Sequence, residues 1–141
     1  MNTESVALQI AWVFDAGHEW LEVTGDSIDL EIAAMCATGY DYRNYDGTRV
    51  YLEGDLSAAI YLHALNYLGQ RPDDIADQVA RDLRDGTRAT TYGAGVISEV
   101  GVNVHDLHER ELSPRNYPTL RAGAIGARVM SIMFDNPEVA R

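Results

Sequence analysis

The side chains of this chain that could do chemistry fall in a few short stretches. The densest is His105-Asp106-Leu107-His108-Glu109-Arg110-Glu111. Two histidines at i and i+3 can meet one metal ion from a single helical turn, with Glu109 or Glu111 supplying oxygen. The His-Glu-x-x-His spacing of zinc proteases is missing, and a third ligand would have to come from elsewhere, such as His18 or His63. A metal-dependent hydrolase or nuclease using His105 and His108 is therefore the alternative reading; the first is a solvated loop with two incidental histidines. Thr90-Thr91-Tyr92-Gly93-Ala94-Gly95 could bring backbone close to a phosphate, but it has no P-loop lysine and an incomplete dinucleotide fingerprint, so it reads as a turn into a strand. Asp15 with His18 could form an acid/base pair, yet no serine or cysteine nucleophile stands beside it. Cys36, the single cysteine, falls on the apolar side of a predicted helix and reads as a buried, inert thiol.

The better candidate is aromatic. Tyr40, Tyr42 and Tyr51, with Trp20, stand among Asp41, Asp46, Glu53 and Glu22. Rigid aromatic anchors inside a charged rim are the usual chemistry of a protein-binding surface. Trp20, Tyr40, Asp41, Tyr42, Asp46, Tyr51 and Glu53 are accordingly the expected partner-binding residues. The competing explanation is that the aromatics are core.

Two hairpins must position this face. Val6, Leu8, Ile10, Trp12 and Phe14 alternate with their neighbours at the period of a strand, Ala16-Gly17 is a plausible turn, and His18 to Val23 returns. Pairing Asp15 with His18 sets Trp12 against Leu21 and Ile10 against Val23 on the core face, and Val13 against Trp20 on the outer face. The second hairpin joins Tyr40–Tyr45 to Thr48–Glu53 about Asp46-Gly47, a strong type I′ signal. Its parity groups Tyr40, Tyr42 and Asn44 with Arg49, Tyr51 and Glu53, opposite Arg43, Tyr45, Val50 and Leu52.

Helices supply the rest. Asp26 or Ser27 caps one containing Ile28, Ile32, Met35 and Cys36, and Gly39 ends it. Asp55 is the expected cap of the most apolar helix, which closes at Gly69 and should be buried. Ile75, Val79 and Leu83 give an amphipathic helix over residues 73–85, ending at Gly86. The last two make an αα-hairpin, but the aspartates interleaved with Arg81, Arg84 and Arg88 argue against DNA reading. Val96, Val100, Val102 and Val104 favour a strand, residues 106–115 read as a polar loop or one short helical turn, and Pro118 starts a helix to about Phe134. The expected whole is a single α+β domain over residues 1–141: two N-terminal β-hairpins in a mainly antiparallel sheet packed by three to four helices.

Charge narrows the class of partner. The 141 residues carry 22 acidic and 11 basic side chains, a net of −11, with a pI near 4.6. Residues 1–70 hold eleven acids against Arg43 and Arg49, net −9; residues 71–141 hold eleven acids against nine arginines, net −2. Lysine is absent. Such a field repels nucleic acid and membrane surfaces and speeds encounter with basic partners. No apolar run approaches the length of a membrane span, no basic-then-apolar leader is present, and no cofactor is expected.

Gly17-His18-Glu19-Trp20-Leu21-Glu22-Val23, then Tyr40-Asp41-Tyr42, then Val50-Tyr51-Leu52-Glu53-Gly54-Asp55-Leu56-Ser57-Ala58 resembles small uncharacterised phage and prophage proteins with a Gly-His-x-Trp-Leu-x-Val hairpin and a Tyr-Leu-Glu-Glu-Asp segment entering a helix. The resemblance spans roughly residues 10–65; Gly54 replaces the second Glu and Leu56 a frequent Cys. It implies a phage context, hence the cytoplasm of a bacterial host, and no particular activity. With the charge, it leads to the expectation of a non-enzymatic binding protein that antagonises the basic surface of a host nucleic-acid-binding or defence protein, as an anti-CRISPR or anti-restriction DNA mimic does. A structural or assembly subunit, forming a homo-oligomer, is a further reading.

Overall fold

The alternation from Ile10 to Val23 builds the first hairpin in the expected register. β1 (Gln9–Asp15) and β2 (His18–Thr24) pair antiparallel with Asp15 opposite His18, Val13 opposite Trp20, Trp12 opposite Leu21 and Ile10 opposite Val23. The computed structural model describes residues 7–15, 18–44, 47–88, 91–92, 95–96, 98–101, 110–111 and 123–134. After β2 come α1 (Ser27–Met35), β3 (Tyr42–Arg43), β4 (Arg49–Glu53), α2 (Ser57–Asn66) and α3 (Pro72–Arg84). β5 (Thr91–Tyr92), β6 (Gly95–Val96), β7 (Ser98–Gly101), β8 (Arg110–Glu111) and α4 (Ala124–Phe134) complete the described elements.

The main sheet has the order β7-β1-β2-β4-β3-β8; β7 runs parallel to β1 and every other pairing is antiparallel. β5 and β6 form a separate antiparallel pair, so Thr91 and Tyr92, expected in a turn, are strand instead. The architecture is α+β. One expectation is corrected: Arg110 and Glu111, expected in a polar loop or helical turn, form the edge strand β8 against Arg43 and Tyr42.

Parity decides what each face of the sheet buries. Ile10, Leu21, Val23, Val50 and Leu52 face the helices and join Leu30 and Ala33 of α1, most of α2, Ile75 and Val79 of α3, and Ile125 and Val129 of α4 in one core. α2 is buried nearly all round, as its composition requires. α1 opens on a reciprocal cap: Asp26 Oδ1 accepts from Asp29 N at 2.9 Å and Asp29 Oδ2 accepts from Asp26 N at 3.1 Å. Its C-terminal end is where α4 docks. The Ala34 carbonyl accepts from Gly123 N at 2.6 Å, and a Cβ on Gly126 would lie 2.6 Å from the Ala37 carbonyl oxygen. Only glycine allows that approach.

One polar network sits inside the α2–α3 contact. His63, 2% exposed, points Nε2 at the Thr87 carbonyl (3.2 Å) and Nδ1 at Asp82 Oδ2 (3.1 Å). A carbonyl can only accept, so Nε2 carries a proton. The Tyr67 hydroxyl donates to the same Asp82 oxygen at 2.6 Å, and Gln78 Nε2 donates to Oδ1 at 2.9 Å. Burial pushes the Asp82 carboxyl up, but the Tyr67 and Gln78 hydrogen bonds, with the charge and hydrogen bond of His63, outweigh it, so its pKa lies below the ordinary carboxylate value.

Two outcomes follow. A depressed folded pKa contributes stability above the unfolded value that is lost as pH falls through the folded one. Asp82→Asn should therefore lower the urea midpoint at pH 7 by an amount equivalent to about 1–3 kcal/mol, and the gap from wild type should shrink below about pH 4; an equal gap at both pH values would refute the linkage. Gly126→Ala should destabilise, although alanine is the better helix former by about 1 kcal/mol, because its methyl meets backbone rather than a side chain that can move. Chemical denaturation gives the sign directly.

Candidate binding pocket at the end of the second hairpin

The site begins with a buried acid. Asp41 is 0% exposed. Its Oδ2 accepts from the backbone N–H of Thr38 (2.8 Å) and Gly39 (3.2 Å), and its Oδ1 from that of Glu53 (2.8 Å). One carboxylate thus ties the loop after α1 to the end of β4. The Thr38 and Ser57 hydroxyls hydrogen-bond to each other and tie the same loop to the first residue of α2.

At the end of β4 the chain turns sharply. Gly54 N donates to the Glu19 carbonyl at 2.9 Å, extending the β2–β4 ladder, and a Cβ there would stand 2.8 Å from that carbonyl oxygen. The glycine that departs from the phage pattern at this position is thus fitted to a close backbone approach. The turn also corrects the expected cap. Leu56, not Asp55, is the residue at the N-cap of α2, and Glu53 reaches forward to accept from Asp55 N (Oε2, 2.7 Å) and Leu56 N (Oε1, 3.1 Å). The helix starts one residue later than the composition suggests, and Asp55 is left exposed. Burial raises the Glu53 carboxyl, the two backbone N–H bonds oppose this, and the neighbouring Asp55 carboxyl raises it again.

These constraints frame a cavity of about 560 Å³ whose described walls include Trp20, Tyr40, Tyr42, Glu53, Asp55 and Met130. That is within the usual range for small-ligand pockets, about 300–1,000 Å³. Trp20 meets Tyr42 edge-on, with ring centroids 5.3 Å apart and planes at 77°, and the His18 ring lies 5.8 Å from that of Trp20. Tyr40 is 74% exposed and Gly39 beside it is also exposed, so the Thr38–Tyr40 loop forms a lip.

The expected partner-binding residues divide accordingly. Trp20 (3% exposed) and Tyr51 (0%) are core rather than surface, forming with Val13 a second buried cluster against which Tyr42 packs. The parity that grouped them is correct, and the centre of the outer face it defines is buried, while Tyr40, His18 and Arg49 around it are exposed. The Tyr51 hydroxyl donates to Glu22 Oε2 at 2.7 Å, so Glu22, expected on the acidic rim, is a structural acceptor. Asp41 is an internal brace. Tyr40, Tyr42 and Glu53 line the cavity, and Asp46 lies outside the described residues. Asp55, Gly39 and Met130 were not anticipated; Asp55 was masked by its expected role as a cap, and Met130 carries no sequence signal because α4 is distant in the chain.

The other candidates have less support. His105 and His108 lie outside the described residues, as does the Asp15 side chain. His63, a suggested third ligand, has both ring nitrogens engaged within the α2–α3 network. Among the described residues, no group of three or more His, Cys, Asp or Glu side chains is placed to hold a metal ion. Cys36 is fully buried, and burial followed by the charge of Asp41 pushes its thiol far up, away from the reactive thiolate. Among the described residues no helix is long and apolar enough to cross a membrane. Comparison of the chain with family models, with curated proteins and with solved structures found no match.

Replacing Asp41 with asparagine keeps its shape but turns one acceptor into a donor facing an N–H group. The variant should lose about 2 kcal/mol or more by denaturation, and amide exchange should speed up first at Thr38, Gly39 and Glu53. Unchanged exchange at these three amides would show that the brace does not hold the loop.

Proposed function

We propose that the chain is a non-enzymatic, acidic binding protein that docks on the basic surface of a host protein, with the pocket at the end of the second hairpin in its contact face. One observation carries this reading: a recess of about 560 Å³ combines aromatic walls with two carboxylates, and all of its described lining except Met130 comes from the half of the chain with net charge −9. Tyrosine and tryptophan beside a charged rim are the residues that dominate protein interfaces, and the field around them favours a partner of opposite sign. A basic surface of this kind ordinarily holds nucleic acid. The concrete form proposed is therefore antagonism of a nucleic-acid-binding defence protein, the phage context coming from the resemblance of residues 10–65.

The test is affinity capture from a bacterial host lysate, washed at about 0.05 M and about 0.5 M salt, since screening between these concentrations removes most exposed charge attraction. A retained nucleic-acid-binding protein, released at high salt and lost when Glu19 and Asp46 are reversed to arginine, is the expected outcome. Glu19 lies outside the described lining of the pocket, so its reversal reads the field and not the recess. Retention that is indifferent to salt and to these reversals would remove the electrostatic basis of the proposal.

A further inference from the structure

The pocket has a more specific chemistry than acidity. One of its carboxylates is held in place before any partner arrives: Glu53 by the N–H groups of Asp55 and Leu56, and the backbone of Glu53 by Asp41. Because Glu53 occupies the N-terminus of α2, the positive end of that helix is already countered and does not invite an anion. Asp55 remains exposed beside it, so two carboxyl groups stand together in the lining of a cavity walled by Trp20, Tyr40 and Tyr42. The faces of such rings attract a cation, and desolvation in a recess strengthens that attraction. A cavity of about 560 Å³ is far larger than a bare metal ion needs and suits an organic group.

We propose that this pocket receives the guanidinium side chain of an arginine presented by the basic partner, with the Trp20, Tyr40 and Tyr42 rings as its walls and Glu53 and Asp55 as its counter-charges. A guanidinium fits these surroundings better than an ammonium. It is planar, stacks on aromatic rings, sheds water more readily, and has five donors in a fixed fork that can serve two carboxylates at once. The Thr38–Tyr40 lip gives the partner's backbone an approach, because Gly39 and Tyr40 are exposed while Asp41 fixes the base of the loop. The inference rests on the basic-partner reading above and adds to it the residue that enters the recess.

The experiment is an NMR titration of the full chain with N-acetyl-arginine methylamide, with the lysine analogue and the neutral isostere citrulline in parallel. Saturable shifts at the amides of Gly39, Tyr40, Glu53 and Asp55 with the arginine compound, none with citrulline, and at least about threefold weaker binding of the lysine compound are expected. Asp55→Asn and Tyr40→Ala alter exposed side chains, and each should weaken the arginine compound by about fivefold or more while leaving distant amides in place. No saturable shift, citrulline binding equal to arginine, or tighter binding of the lysine compound would each overturn the assignment. Its failure is separable from that of the broader proposal. A captured basic partner whose binding survives Asp55→Asn and Tyr40→Ala would overturn the arginine pocket alone, whereas arginine binding in the pocket with no partner captured would support the pocket and leave the broader proposal unsupported.

Discussion

The buried carboxylate of Asp41 is the interaction on which the functional end of this protein depends. Three backbone N–H groups converge on it, from Thr38, Gly39 and Glu53, and no other described group joins those two segments in this way. An ionised carboxylate out of water is costly unless its lone pairs are filled, and backbone donors held in place by the fold fill them without ordering further side chains. The consequences run outward in sequence. With the backbone of Glu53 fixed, its side chain reaches the first turn of α2; with α2 started at Ser57, Asp55 is displaced to the surface; with Thr38 and Gly39 fixed, Tyr40 is carried to the lip of the cavity. Removing this one internal carboxylate would loosen the Thr38–Tyr40 lip and the turn that carries Glu53 and Asp55, while the sheet and Met130 of α4 keep their own supports.

The sheet itself has two faces of different chemistry. The face toward the helices is aliphatic, from Ile10 to Leu52, while the other is built from Val13, Trp20, Tyr51 and Tyr42. Aromatic rings with a polar end suit a layer at the edge of a protein, since each buries a large apolar body and still finds a partner for its heteroatom, as Tyr51 does in Glu22. The second layer also gives the pocket a rigid floor: Trp20 is locked by its edge contact with Tyr42 and presents a fixed surface rather than a mobile side chain.

Period-two alternation made both hairpins legible in the sequence, down to the register of Asp15 opposite His18 and the shared face of Tyr42 and Tyr51. What alternation cannot show is whether a second face is wet or covered, because that depends on elements far along the chain. Trp20 and Tyr51 therefore read as anchors and proved to be core. Asp41 is a different case. It alternates with Tyr40 and Tyr42, so the same parity that grouped the tyrosines places it with Arg43 and Val50 on the opposite side, but its bonds run backward to Gly39 and Thr38, against the forward direction of an Asx turn. Parity alone therefore marked the side on which Asp41 lies, and not its role as a brace. The bond to Glu53, twelve residues on, and the close approach of Gly126 to Ala37 were not readable, since each arises from how two separate elements meet.

Burial of Asp41 and the engagement of Glu22, Glu53 and Asp82 divide the acidic character of the chain into two kinds of charge with different uses. Carboxylates filled by N–H and O–H donors still add to the field at long range, but most of them serve the fold: Asp41, Glu22 and Asp82 are not in the described lining of the recess, and of the four only Glu53 also borders it. Beyond a Debye length of about 8 Å at physiological salt, a partner senses only the sum, which sets how fast the two molecules meet. At contact the sum no longer matters, and recognition falls to the few acids left open beside shaped apolar surface, of which Asp55 at the mouth of the aromatic recess is the clearest. A protein organised in this way would attract many basic surfaces and retain those that place a suitable cation in one position. Charge substitutions remote from the recess should then act mainly on association rate, and substitutions at Tyr40 or Asp55 mainly on dissociation rate.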